Sequence, residues 1–207
     1  FLCSGPYVEA RDRFAAEILV VPQVRGSTTY RSYIIARQDL PAKSIADLRG
    51  KSFAFTDPLS TTGRLYPTYL LIKQGKLPDK FFSRIIFTKG HDNSVRAVAE
   101  GVVDAAAVDH LIWEDMARAK PELMAQVRIL QRSPPFGIPP IVTHPALSGE
   151  LKARLRQAFL NMHQDPEGLA LLRQAAIDRF VLQDDSAYDG IRSMLAVVRG
   201  FPRKEDH

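Results

Sequence analysis

The chain has 207 residues, 45% of them hydrophobic and 25% charged, with a formal net charge of +5. That is enough for one or two units with a real core, and the balance is that of a globular chain rather than a disordered or fibrous one. It holds no apolar run long enough for a transmembrane helix. Its basic residues are scattered over many elements instead of forming the aromatic-interleaved stripe of a nucleic-acid binder.

Short apolar runs alternate with helical patterns, the signal of an α/β fold with a largely parallel sheet. Ile18-Leu19-Val20-Val21 reads as a buried strand, Arg25 to Thr28 as a turn, and Tyr30 to Ala36 as the next strand. Ser44 with Asp47 three residues on approaches a capping box, and Gly50 stops that segment. Ser52 to Thr56 is a short strand, followed by a helix from about Gly63 to Gln74 with Pro67 in its first turn. Arg84 to Thr88 is a strand, and Asp92 to Glu100 a helix ending at Gly101. Val102 to Val108 reads as a strand covered on both faces, His110 to Ala119 as a helix, and Val127 to Leu130 as a strand. The proline-rich Ser133 to Pro140 is a linker or edge segment that Ile141-Val142 continues. Helices are expected over Leu151 to His163, Glu167 to Ala176 and Ala187 to Arg199, with a frayed tail from Arg203 to His207.

The compact block from about Lys43 to Gln126 is bracketed by extended segments at 32–37 and 128–133. That arrangement predicts two lobes joined by a two-strand hinge. One lobe is drawn from 1–36 and 132–207, the other from 37–131.

Two stretches carry chemistry. Asp57-Pro58-Leu59-Ser60-Thr61-Thr62-Gly63 and Gly90-His91-Asp92-Asn93-Ser94 each follow a strand and open a helix. Free N–H groups and the positive end of the helix dipole attract an anion at such a position. Ser60, Thr61 and Thr62 are candidate hydroxyl and backbone donors, and neutral donors hold an anion without burying a counter-ion. A plain helix cap accounts for the same turn. His91 is a candidate ring N–H donor, with a structural or exposed histidine as the alternative. Asp109 closes the apolar strand at the edge where open α/β sheets bind ligands. It would accept a hydrogen bond from a protonated ligand oxygen, or simply cap the helix from His110. Asp104 is expected to be structural, and Trp113 and Met116 to be core.

Cys3 is the only cysteine, so there is no intramolecular disulfide and no cysteine-based metal site. The five histidines, at 91, 110, 144, 163 and 207, lack the spacing of a zinc motif, and no metal or cofactor is expected. The N-terminus Phe1-Leu2-Cys3-Ser4-Gly5 is not an intact signal peptide.

At these residues the chain resembles the phosphate/phosphite/phosphonate substrate-binding proteins of ABC importers. The matching stretches are Cys3-Ser4-Gly5-Pro6-Tyr7, Tyr30-Arg31-Ser32-Tyr33, Ile45 to Lys51, Phe55 to Gly63 with Pro67, Gly90-His91-Asp92, and Ala97-Val98 on to Asp109. The resemblance implies a type II periplasmic-binding-protein fold. It implies a small phosphorus oxyanion as ligand, an ABC permease as membrane partner, a monomer, and a periplasmic or extracytoplasmic location, membrane anchoring being compatible with it. It also adds Tyr30, and more weakly Tyr7 at the Gly-Pro-Tyr turn, to the ligand-binding candidates. Two departures stand out. Family members carry further N-terminal residues, so lobe one is expected to be incomplete. In addition, the segment 133–140 lacks an acidic residue that some relatives have, which argues against a strict phosphonate preference.

An enzyme is not expected. Ser60, His91 and Asp109 (or Asp92) can be drawn as a triad, but Ser60 lies in Leu-Ser-Thr-Thr-Gly and not in a nucleophile elbow. The other reading is the input domain of an extracytoplasmic sensor, since importer and sensor both need only ligand-driven closure.

Overall fold

The structure, a computed structural model, describes residues 1–202. The fraying expected at 203–207 lies outside the described residues. In chain order the elements are helix α1 (Ser4–Phe14) and strands β1 (Glu17–Gln23), β2 (Thr29–Tyr30) and β3 (Ser32–Arg37). A 3-10 turn (Ile45–Leu48), β4 (Ser52–Phe55) and a π-turn (Thr61–Leu65) running into α2 (Tyr66–Ile72) come next. They are followed by α3 (Pro78–Phe81), β5 (Arg84–Phe87), α4 (His91–Ala99), β6 (Ala105–Asp109), α5 (His110–Ala119) and α6 (Pro121–Met124). The chain continues with β7 (Val127–Arg132), β8 (Phe136–Gly137), β9 (Ile141–Thr143), α7 (Gly149–Asn161), α8 (Pro166–Gln174), β10 (Arg179–Val181) and α9 (Asp189–Gly200). Among the described residues no helix is long and apolar enough to cross a membrane. The chain forms two compact units, 1–30 with 136–192, and 31–135 with the segment from Ser193.

The second unit is built on a five-stranded sheet of order β5-β4-β6-β3-β7. β4 pairs in parallel with β5 and β6, whereas β3 is antiparallel to both β6 and β7. A largely parallel sheet was expected. In fact β3 opposes its four companions, because the chain enters this unit along β3 and leaves along β7, with Tyr33 opposite Arg132. Entry and exit at one edge require opposite directions. β6 has Ala105 to Val108 fully buried, as a strand covered on both faces must. It is shorter than its apolar run: Gly101 takes the left-handed conformation, and Val102 and Val103 turn back to donate to Ala97 O. Alternation along the strands sorts the core. Ile35, Ala54, Ala106 and Val108 pack with Val95 and Val98 of α4 and Met116 of α5. Phe53, by contrast, stacks on Phe82 at 4.4 Å and meets Phe55 edge-on.

In the first unit β1 lies between β10 and β9, antiparallel to both, and β2 pairs with β8. Val20, Leu172 and Phe180 centre its core, with Phe159 edge-on to Phe180 at 5.0 Å. The Gly-Pro-Tyr stretch, expected as a turn, is the first turn of α1. Proline is favoured at the start of a helix, where no N–H is required.

Candidate functional site

Five chain segments of the second unit meet at one edge of its sheet. The parallel strands β4, β5 and β6 end there and lead into 56–62, 88–91 and Asp109; β3 begins there after Arg31 and β7 ends there before Ser133. Ligands of open α/β sheets bind at this edge, beyond the carboxyl ends of the strands.

The Ser60–Thr62 turn owes its shape to two local features. Ser60 caps the helix, its Oγ accepting the Gly63 N–H at 2.9 Å. The following turn is wider than an α-turn, with the Leu65 N–H reaching Ser60 O at 2.9 Å and the Tyr66 N–H reaching Thr61 O. That register releases the Thr62 carbonyl, which accepts from Ser32 Oγ at 2.6 Å. Pro67 has no N–H, so the Gly63 carbonyl is released too and accepts the Thr56 N–H at 3.4 Å. Ser60, Thr61 and Thr62 are 8%, 0% and 1% exposed. Ser32 also donates its backbone N–H to Ser133 Oγ and accepts the Ser133 N–H, both at 2.9 Å.

His91 opens α4, with Gly90 as the preceding cap residue. Its Nδ1 accepts the backbone N–H of Asp109 at 3.1 Å and lies 3.1 Å from Thr56 Oγ1. A backbone N–H only donates, which assigns the imidazole proton to Nε2 and makes that nitrogen a donor. Burial pushes the imidazole below its usual pKa, against the opposing pull of Asp109 and Asp92. The Asp109 carboxylate itself accepts the Leu111 N–H at 2.8 Å and caps α5. Ser60, His91 and Asp109 are therefore gathered at one edge but not wired as a triad. It is the Asp109 amide, not its carboxylate, that holds His91. Beside them, His110 Nδ1 accepts the Arg31 N–H at 3.0 Å, and the Arg31 guanidinium donates to Ser133 O at 2.6 Å.

Tyr7 and Tyr30 belong to the first unit. Tyr7 is fully buried and its hydroxyl donates to Asp185. Asp185 also takes a double contact from Arg192 at 2.6 and 2.7 Å and one from Arg11 at 3.1 Å. Burial, with the hydrogen bond to Asp185, pushes the Tyr7 phenol up. Tyr30 is 1% exposed, edge-on to Phe136, with its hydroxyl 3.9 Å from Cys3 Sγ. Sequence reasoning missed Thr56, Ser32, Ser133, Arg31 and His110 as members of the edge. The signals available were a threonine directly after a strand and the Tyr-Arg-Ser-Tyr stretch. Asp104 is structural as expected, accepting the Ser52 N–H and hydroxyl at 2.8 and 2.7 Å.

The arrangement offers an anion a set of neutral donors, namely a serine hydroxyl, the start of two helices and a tautomer-fixed imidazole. Among the described residues no group of three or more His, Cys, Asp or Glu side chains is gathered as for a metal ion.

Residues 1–188 match the family described as ABC transporter, phosphonate, periplasmic substrate-binding protein. The chain is 28% identical over 192 residues to the phosphonates-binding periplasmic protein of Escherichia coli (strain K12), covering 90% of this chain and 56% of that protein. It is 31% identical over 148 residues to the phosphate-import protein PhnD of Mycolicibacterium smegmatis, covering 68% of this chain and 46% of that protein. A binding protein component of an ABC phosphonate transporter from Pseudomonas aeruginosa superposes with a TM-score of 0.83 at 28% identity, over 96% of this chain and 68% of that one. The chain thus spans about half the length of the curated relatives it matches. The fold is that of the type II periplasmic binding proteins, as expected. With the match extending across most of its length, the chain belongs to the family of periplasmic substrate-binding proteins of phosphonate ABC transporters.

Proposed function

We propose that the protein captures a small phosphorus oxyanion (phosphonate, phosphite or phosphate) in the periplasmic or extracytoplasmic space for delivery to an ABC permease, acting as a monomer. Ser60, Thr61, Thr62 and His91 donate to the oxyanion. Asp109 orients His91 through its amide and faces the ligand with a carboxylate that tolerates a protonated oxygen better than an ionised one. A two-lobed organisation, with the oxyanion turns on the lobe drawn from the middle of the chain, is part of this reading. Tyr30 stays in the proposal as a wall residue. Tyr7, whose hydroxyl is engaged by Asp185, contributes packing.

The observation that carries the proposal is the joining of the two helix starts at one sheet edge, through Thr56 and His91. Family membership supports it. The ligands in the relatives' names, phosphonates in one and phosphate in another, share the same oxyanion group. Neutral donors suit such a guest, because they stabilise its charge without holding a permanent counter-ion that would repel or trap other states. The test is a thermal-shift and calorimetry panel of phosphate, phosphite, methylphosphonate, 2-aminoethylphosphonate and sulfate. Stabilisation by at least one phosphorus oxyanion in preference to sulfate is expected. Absence of stabilisation by any phosphorus oxyanion overturns the proposal.

A further inference from the structure

Thr56 is the first residue past β4, and its polar groups are engaged on both oxyanion turns. Its N–H donates to Gly63 O at 3.4 Å, in the first turn. Its carbonyl accepts at 2.7 Å from the N–H of Lys89, the residue before Gly90. Its hydroxyl lies 3.1 Å from His91 Nδ1 and 3.3 Å from Ala107 O, and its one proton serves either of these acceptors. The residue is 4% exposed. The first turn also packs directly on this side chain: a Cβ added at Gly63 would sit 2.2 Å from Thr56 Oγ1 and 2.6 Å from Thr56 Cβ.

An imidazole anchored at a single point is free to rotate about its Cβ–Cγ bond; Nδ1 here is approached from two directions, by the Asp109 amide and the Thr56 hydroxyl. The amide is a donor only and so opposes a protonated Nδ1, and the hydroxyl adds to this by turning its proton from Ala107 O to Nδ1.

We propose that Thr56 is a positioning residue of the oxyanion site. It sets the separation between the Ser60–Thr62 turn and the His91 helix start, and it holds the His91 ring as the Nε2–H tautomer, so that a bound oxyanion meets a donor from each side. The proposal rests on the reading that an oxyanion binds at this edge, but its geometric half is measurable without any ligand.

The experiment pairs Thr56→Val, which keeps the branched shape and removes the hydroxyl, with Thr56→Ser, which keeps the hydroxyl. His91 ring nitrogens are followed by 15N NMR in the ligand-free protein, and methylphosphonate and inorganic phosphate are titrated by calorimetry. Wild type is expected to show a single Nε2–H tautomer. Thr56→Val is expected to broaden or mix the ring signals and to bind about tenfold more weakly, the cost of leaving a buried partner unpaired. Thr56→Ser is expected to keep the tautomer and bind within about threefold of wild type. A folded Thr56→Val protein with wild-type ring signals and affinity overturns the proposal, as does a wild-type His91 carrying its proton on Nδ1. Should Thr56→Val fail to fold, a Thr56→Ser protein that loses the tautomer overturns it instead. A wild type that binds neither oxyanion but shows the fixed tautomer defeats the functional reading and leaves the positioning role standing.

Discussion

In the first unit the Asp185 carboxylate is surrounded by the Tyr7 hydroxyl and the guanidinium groups of Arg11 and Arg192. At the sheet edge of the second unit the corresponding work is done by amides, hydroxyls and a neutral imidazole. Both clusters are hydrogen-bonded, and both combine tyrosine, histidine or aspartate with residues distant in sequence. The difference is in charge. Asp185 is already compensated by the guanidinium groups of Arg11 and Arg192. The edge presents hydroxyl, amide and imidazole groups, and the Arg31 guanidinium there is turned to the Ser133 carbonyl instead of to a carboxylate.

Four measurements would break or sharpen this contrast. Gly63→Ala should have the largest effect, because its Cβ would overlap the Thr56 side chain at 2.2 Å. A loss of oxyanion binding of at least about a hundredfold is expected in calorimetry, with overpacking costing up to about 3 kcal/mol of stability. Unchanged affinity would show that the two turns are not in register through Thr56. Asp185→Ala should do the reverse. It removes the carboxylate that a phenol and two guanidinium groups share, Arg192 keeping Asp189 as a partner, and denaturant titration should show a loss of about 2 kcal/mol, reduced from the fully buried case by partial exposure. Oxyanion affinity is expected to stay within about twofold of wild type, below the weight of one hydrogen bond. A large affinity loss would mean that the charged cluster belongs to the site.

His91→Gln keeps a donor but not the ring geometry, and should weaken binding about tenfold while leaving the melting temperature nearly unchanged at neutral pH. The smallest effect is on pH dependence. Burial holds folded His91 below the ordinary imidazole value of 6.5 that it has in the unfolded chain, against the opposing pull of Asp109 and Asp92. Between the folded value and 6.5 the unfolded chain therefore binds more protons. Stability from this group is fully present above pH 6.5 and declines as pH falls towards the folded value. Melting curves of the ligand-free protein should show that decline, and His91→Gln should flatten it. An unchanged slope in the variant would assign the titration to another group.

The helix starts at Ser60 and His91 were legible because their signals are contiguous: a strand, a few small or polar residues, then helical periodicity. The capping pair Ser44 and Asp47 was legible for the same reason and forms as expected. The same kind of local reading failed at Gly5-Pro6-Tyr7, where proline marks the first helical turn. It also failed at Val102 and Val103, whose apolar character suits a strand although they complete a helix-ending turn. For Asp109 the capping reading is realised, its carboxylate accepting the Leu111 N–H, and its amide makes a contact to His91 that the sequence did not suggest.

By itself the sequence determined that two helix starts rich in small donors follow strands in the middle of the chain, that Gly63 and Pro67 flank the first of them, and that the apolar runs make an α/β core. Those properties depend on neighbours along the chain. Only the tertiary structure decided that β3 opposes the rest of its sheet, that Tyr7 is bound to Asp185, and that His91 is held at Nδ1 by Thr56 and the Asp109 amide. The bonds responsible join residues 178, 35 and 18 positions apart. Contacts over such separations arise from the packing of whole strands and helices, and neither composition nor local periodicity encodes which atoms that packing brings within reach.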